Sequence, residues 1–152
     1  MSCSKLWQGI SIVVIGMVLG LPTFAEPIAI QNLPDGNYIF SSKLPDRSSH
    51  RDIQLAGAEI YALQKTGNKV VGEHFIANSS DANCFRGTVK DSVISGEGLV
   101  ASFPVETSRG ELFAISENLQ DFKMLTPNSI EYAKSSVQRC RDRFNRYTIN
   151  RF

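Results

Sequence analysis

Histidine and cysteine are scarce in this chain: His50 and His74 are the only two histidines, and three cysteines occur among 152 residues. No C-x-x-C pair and no H-x-x-x-H spacing is present, so neither a dithiol redox motif nor a zinc site is written into the sequence. The G-x-S-x-G turn of the α/β-hydrolases is missing as well. Neither charge is in excess, with 16 Lys and Arg against 15 Asp and Glu. The basic residues are not interleaved with aromatics in a stripe, so no nucleic-acid partner is expected. No cofactor-binding motif is found. The hydrophobic fraction of 42% and the charged fraction of 20% exclude collagen-like, coiled-coil and disordered classes.

Long apolar runs are also missing. The longest, Leu6 to Leu21, covers about 16 residues and is interrupted by Gln8 and Ser11, whereas a membrane-spanning helix needs about 20. Its flanks give it another meaning. Lys5 precedes it, Pro22 breaks it, and Thr23-Phe24-Ala25 puts small residues at the −3 and −1 positions. That is the order of a cleavable secretory signal. The expected domains are a signal peptide over residues 1–25 and a β-rich unit over residues 26–152. The expected location is periplasmic or secreted, after a cut following Ala25.

Export changes how the cysteines are read. Cys3 leaves with the leader, and the remaining pair, Cys84 and Cys140, enters an oxidising compartment that favours a disulfide. The bond would close a loop of about 57 residues. Charge is unevenly distributed over what remains. Residues 26–122 carry eight basic and 13 acidic groups, and residues 123–152 carry seven basic and two acidic.

Between Asn37 and Leu125 the pattern is β. Asn37–Ser42, Ala58–Lys65, Lys69–Ala77, Cys84–Lys90 and the segment from Val93 are rich in β-branched and aromatic residues. Thr66-Gly67-Asn68 and Asp91-Ser92 between them read as hairpin turns. Glu111–Ser116 and Phe122–Leu125 complete six to seven strands. Gly72, Gly87, Gly96 and Gly98 fall in or beside strands, where glycine marks bends and close backbone approach. A strongly coiled meander or a small β-barrel is therefore expected. After Asn128 the period changes: Ile130, Ala133, Val137, Cys140, Phe144 and Tyr147 step by three and four, one face of an amphipathic helix. Asn128 with Glu131 forms its capping signal, so the helix is placed at residues 128–147. The fold class expected is α+β, with this helix laid over the sheet and Cys140 pointing toward Cys84. Phe40, Ile60, Val89, Phe103, Val137 and Phe144 are the expected core.

Several words in this stretch carry a resemblance. The pattern from Leu33 to Tyr147, with L-P-D-G-N-Y-I-F, G-N-K-V-V-G, C-F-R-G-T-V-K-D-S-V-I-S-G and S-V-Q-R-C-R-D-R-F in it, is similar to that of small uncharacterised secreted or periplasmic β-domain proteins of cyanobacteria. The resemblance implies an exported β domain with a C-terminal helix and brings no activity with it.

Three functional readings follow. The preferred one is a non-catalytic exported binding or structural module of the cell envelope, taking a small ligand or an envelope surface. The second is a small envelope enzyme. His50 with Asp52 in the polar Lys43–Gly57 loop would supply acid–base groups, while either Glu73 or His74, on a strand, would line a ligand cavity inside a barrel. Strand alternation puts Glu73 and His74 on opposite faces, so one of them stands on the inner side and the other on a polar outer face. The third reading is attachment to an anionic lipid or wall surface through Arg139, Arg143 and Arg146 of the helix.

Overall fold

The computed structural model describes residues 29–50, 54–100, 111–125 and 130–149, with helix side chains over 135–147. The leader, Asp52, Phe103 and Asn128 lie outside the described residues. The chain forms strands β1 (Gly36–Ser41), β2 (Glu59–Thr66), β3 (Lys69–Ile76), β4 (Ala82–Lys90), β5 (Val93–Val100), β6 (Leu112–Asn118) and β7 (Lys123–Met124), then helix α1 (Ile130–Ile149). The fold is α+β, an antiparallel meander with one C-terminal helix. Gly67 at φ +57° and Asp91 at φ +55° make the β2–β3 and β4–β5 turns, where hairpin geometry requires the left-handed region.

The strands lie in the order β6-β5-β4-β3-β2-β1-β7, so β6 and β7 are the two edges and no ladder joins them. The sheet is open, which corrects the expectation of a β-barrel. It is nevertheless tightly curled. Tyr61 of β2 and Glu117 of β6 come close enough across the inner face for the Glu117 charge to act on the Tyr61 hydroxyl, although β2 and β6 are four strand steps apart, roughly 19 Å on a flat sheet. Gly72 shows how the curl is reached, since a Cβ there would overlap the Ala62 carbonyl oxygen of the neighbouring strand. Closure fails for a packing reason. The four residues linking β6 to β7 turn inward, and Leu119 and Phe122 pack into the inner core instead of extending a ladder.

Both faces of the sheet are therefore covered. The inner face buries Phe40, Tyr61, Leu63, Phe85, Val89 and Ile94, sealed by Ile30, Leu119 and Phe122. Ile30 belongs to a single 3-10 turn, Ile30–Asn32. That turn is clipped to the β4–β5 turn by Gln31 N–H donating to the Asp91 carbonyl at 2.8 Å. The outer face holds Ile39, Ile60 and Ala62 in one cluster, and Cys84 and Leu99 with Cys140 and Phe144 of α1 in another. Phe40, Ile60, Val89, Val137 and Phe144 are all buried as expected. They do not form one core, however: Phe40 and Val89 lie on the face away from the helix.

Candidate functional site

Cross-strand register lays out the outer face residue by residue. Gln64, Val71, Arg86 and Glu97 are successive partners across β2, β3, β4 and β5. Two residues further along, Thr66, Lys69, Thr88 and Ser95 form a parallel row. Neighbours within a row stand about 4.8 Å apart, and the rows are roughly 7 Å apart. The C-terminal half of α1 walls one side of these rows with Arg141, Phe144 and Asn145. The result is a groove of about 780 Å³ between helix and sheet.

Two contacts fix its walls. The Arg86 guanidinium lies 4.5 Å from the Phe144 ring centroid and donates to Glu97 Oε1, with both its Nε and Nη2 at 2.5 Å. Arg86 is thus held flat between a carboxylate and an aromatic face, an arrangement that suits a planar cation. Both side chains of the pair are partly exposed, so the ion pair orients the groove more than it stabilises the fold. Arg141 donates to the Gln64 amide oxygen from the opposite flank. Lys69 and Arg141 have no carboxylate partner among the described residues.

The disulfide Cys84–Cys140 is present, with Cα atoms 5.2 Å apart, and ties the middle of α1 to β4. The remaining sequence-predicted residues do not converge. His50 is exposed in the β1–β2 loop. Glu73 and His74 do occupy opposite faces, as alternation requires, but the expected outer, polar position does not exist, because both faces are covered. Glu73 is only 8% exposed. It accepts a hydrogen bond from Arg139 Nη2 at 3.0 Å, and Arg139 also reaches Ser136 at 3.0 Å. Arg139 therefore serves a buried carboxylate with part of its guanidinium, while its side chain stays about half exposed. Arg143 is partly buried, and Arg146 donates to the Asp142 carbonyl at 3.3 Å. These three arginines share one flank of α1, and the groove opens on the other.

His74 stacks on Tyr61 with ring centroids 4.4 Å apart, and its Nε2 is buried with no hydrogen-bond partner. Burial pushes the His74 pKa below its ordinary 6.5, against an upward pull from Glu59 and Glu117. Burial also raises the Tyr61 hydroxyl, helped by the nearby charges of Glu117 and Glu59. The fold holds His74 neutral, so the unfolded chain binds the proton more tightly. Its contribution to stability is complete above about pH 6.5 and is lost as the pH falls through the lowered folded-state value. Urea unfolding at pH 7.5 and pH 5.5 is expected to show a loss at the lower pH that His74→Phe reduces. An identical loss in the variant would assign the effect to other groups.

Among the described residues, no group of three or more His, Cys, Asp or Glu is placed to hold a metal ion. No protein-family model, no curated protein and no solved structure matches the chain. The groove residues Lys69, Arg86, Glu97 and Arg141 were not singled out by sequence motif. The signal that could have found them is the register of the two hairpins. It sets Gln64 against Val71 and Arg86 against Glu97, but it does not say how the hairpins join.

Proposed function

We propose that this protein is an exported, non-catalytic binding module of the cell envelope, and that the groove between α1 and the sheet holds a small hydrophilic ligand. The observation that carries this reading is the groove itself. Its volume of about 780 Å³ falls within the range of small-molecule sites. Its lining sets donors and acceptors into a mostly apolar surface, and a disulfide and a stacked Arg–Phe pair hold its walls before any ligand arrives. Such preorganisation reduces the ordering cost of binding. Export is supported by the leader pattern of residues 1–25 and accords with the disulfide. Neither histidine lines the groove, which favours binding over acid–base chemistry there.

The test is an amide-resolved NMR titration of the disulfide-bonded protein with neutral sugars, sugar acids, amino acids and sugar phosphates. At least one class is expected to move the signals of Gln64, Thr88 and Ser95 together in a saturable way. If every class leaves these signals unmoved, the groove is not a binding site.

A further inference from the structure

We infer that the groove selects an anionic saccharide chain, with acidic groups on Lys69 and Arg141 and sugar hydroxyls on the row of Thr66, Thr88 and Ser95. The inference rests on the proposed binding role of the groove and names its ligand class.

The charges come first. Three cations, Lys69, Arg86 and Arg141, line the groove with one carboxylate, Glu97. Arg86 is already matched to Glu97 at 2.5 Å. That leaves Lys69 and Arg141 as two positive charges without a carboxylate, and a ligand carrying separated negative groups would answer both. Charge-assisted hydrogen bonds to such groups are about twice as strong as neutral ones.

The hydroxyls come second. Thr66, Thr88 and Ser95 are exposed side chains in the same cross-strand row as Lys69, spaced at the strand interval of about 4.8 Å. A hydroxyl both donates and accepts, so a row of them matches a ligand whose own surface is hydroxyl-rich at a comparable repeat. Sugar rings joined in a chain have that character.

Glu97 decides between anionic ligands. Both contacts from Arg86 go to its Oε1, which leaves Oε2 as an acceptor on a residue that lines the groove. A carboxylate acceptor welcomes hydroxyl hydrogens and repels densely charged phosphates. A membrane surface is a poor match on shape, because Lys69 and Arg141 belong to a groove walled by the helix and not to its outward flank. An acidic wall or capsule-type polysaccharide fits all three features.

The test uses the intact disulfide-bonded protein with three probes: an oligogalacturonate hexamer, the neutral maltohexaose, and vesicles containing anionic phosphatidylglycerol. Calorimetry and amide shifts are recorded for the parent and for Lys69→Gln, Arg141→Gln and Thr88→Ala. The hexamer is expected to move Gln64, Thr88 and Ser95, and each cation variant to weaken it by about tenfold. The neutral chain is expected to bind far more weakly. Thermal melts of the variants should match the parent, since Lys69, Arg141 and Thr88 are exposed. Equal binding of both hexamers, unaffected by Lys69→Gln, would overturn the anionic assignment and leave the groove as a neutral-sugar site. Preferential vesicle binding lost in the same variants would transfer the two cations to a lipid surface. Groove signals moved only by non-saccharide ligands would overturn this inference while preserving the binding role, and a groove silent to every ligand would remove both.

Discussion

Replacing Cys140 by serine is expected to lower the unfolding free energy by roughly 4 kcal/mol. The bond joins residues 56 apart in sequence, and closing a loop of that length constrains the unfolded chain by about that much in the chain-entropy account. Cys140 is 0% exposed, so the serine hydroxyl would enter an apolar cluster and add to the loss. Urea unfolding of the parent, the variant and a Cys84→Ala/Cys140→Ala pair separates the two contributions, because the double variant introduces no polar group. The groove depends on the same bond, since α1 forms one of its walls. A loss below about 1 kcal/mol in the double variant would mean that the helix docks fully without the crosslink.

Phe144→Ala is the second large effect. Phe144 is 2% exposed and packs with Cys84, Leu99 and Cys140, so truncation is expected to cost about 3–5 kcal/mol. Its ring also carries the Arg86 guanidinium. A double-mutant cycle with Arg86→Ala should therefore return a coupling of about 0.5–1 kcal/mol. Denaturant unfolding measures both quantities. A change under about 0.5 kcal/mol, the range of surface sites, would show that the ring is not core. With the disulfide intact, the shortened side chain leaves α1 tethered, so groove binding should weaken and not vanish.

The parts of the fold that were legible in the sequence are those fixed by local spacing. Thr66-Gly67-Asn68 and Asp91-Ser92 announced two tight hairpins, and a short turn leaves little freedom in register. The step of three and four from Val137 through Cys140 to Phe144 marked the helix face that is buried. The cysteine pair was legible because the leader-like pattern of residues 1–25 sets Cys3 apart, and two remaining cysteines allow one pairing.

What failed depended on how the edges of the sheet and the two cores come together. Interior glycines signalled curl in β3, β4 and β5 but could not say whether the edges would join. That was decided by Leu119 and Phe122 turning inward. A sheet with one polar face would leave either Glu73 or His74 exposed; instead α1 covers Glu73 on the outer face and the inner core takes in His74 beside Tyr61. The arginines of α1 looked alike as a cluster. Only the meeting of helix and strand distinguishes Arg139, tied to Glu73, from Arg141, which faces the groove. The groove itself is spread over four strands and a helix, and the β3–β4 register that aligns Val71 with Arg86 passes through a longer loop with no turn signature to fix it.

The short link between β6 and β7 has a consequence for the order in which the molecule assembles. β2 to β5 are joined in sequence order, so their pairing needs mostly local contacts, which form quickly. β1 is different. One of its sides pairs with β2, but the other waits for β7, where Phe40 meets Met124 from far along the chain. Long loops must close before such a contact returns any stabilisation. During synthesis β1 is the first strand to emerge and β7 the last, so β1 is expected to acquire its second neighbour only once β6 is already out. Until then its free edge and the open inner core around Tyr61 face the solvent. Carrying Phe122 onto Tyr61, where the rings end 5.4 Å apart, is then expected to seal the core and cap that edge at once. The interval before it is when the chain is most exposed to proteases and to pairing with other chains.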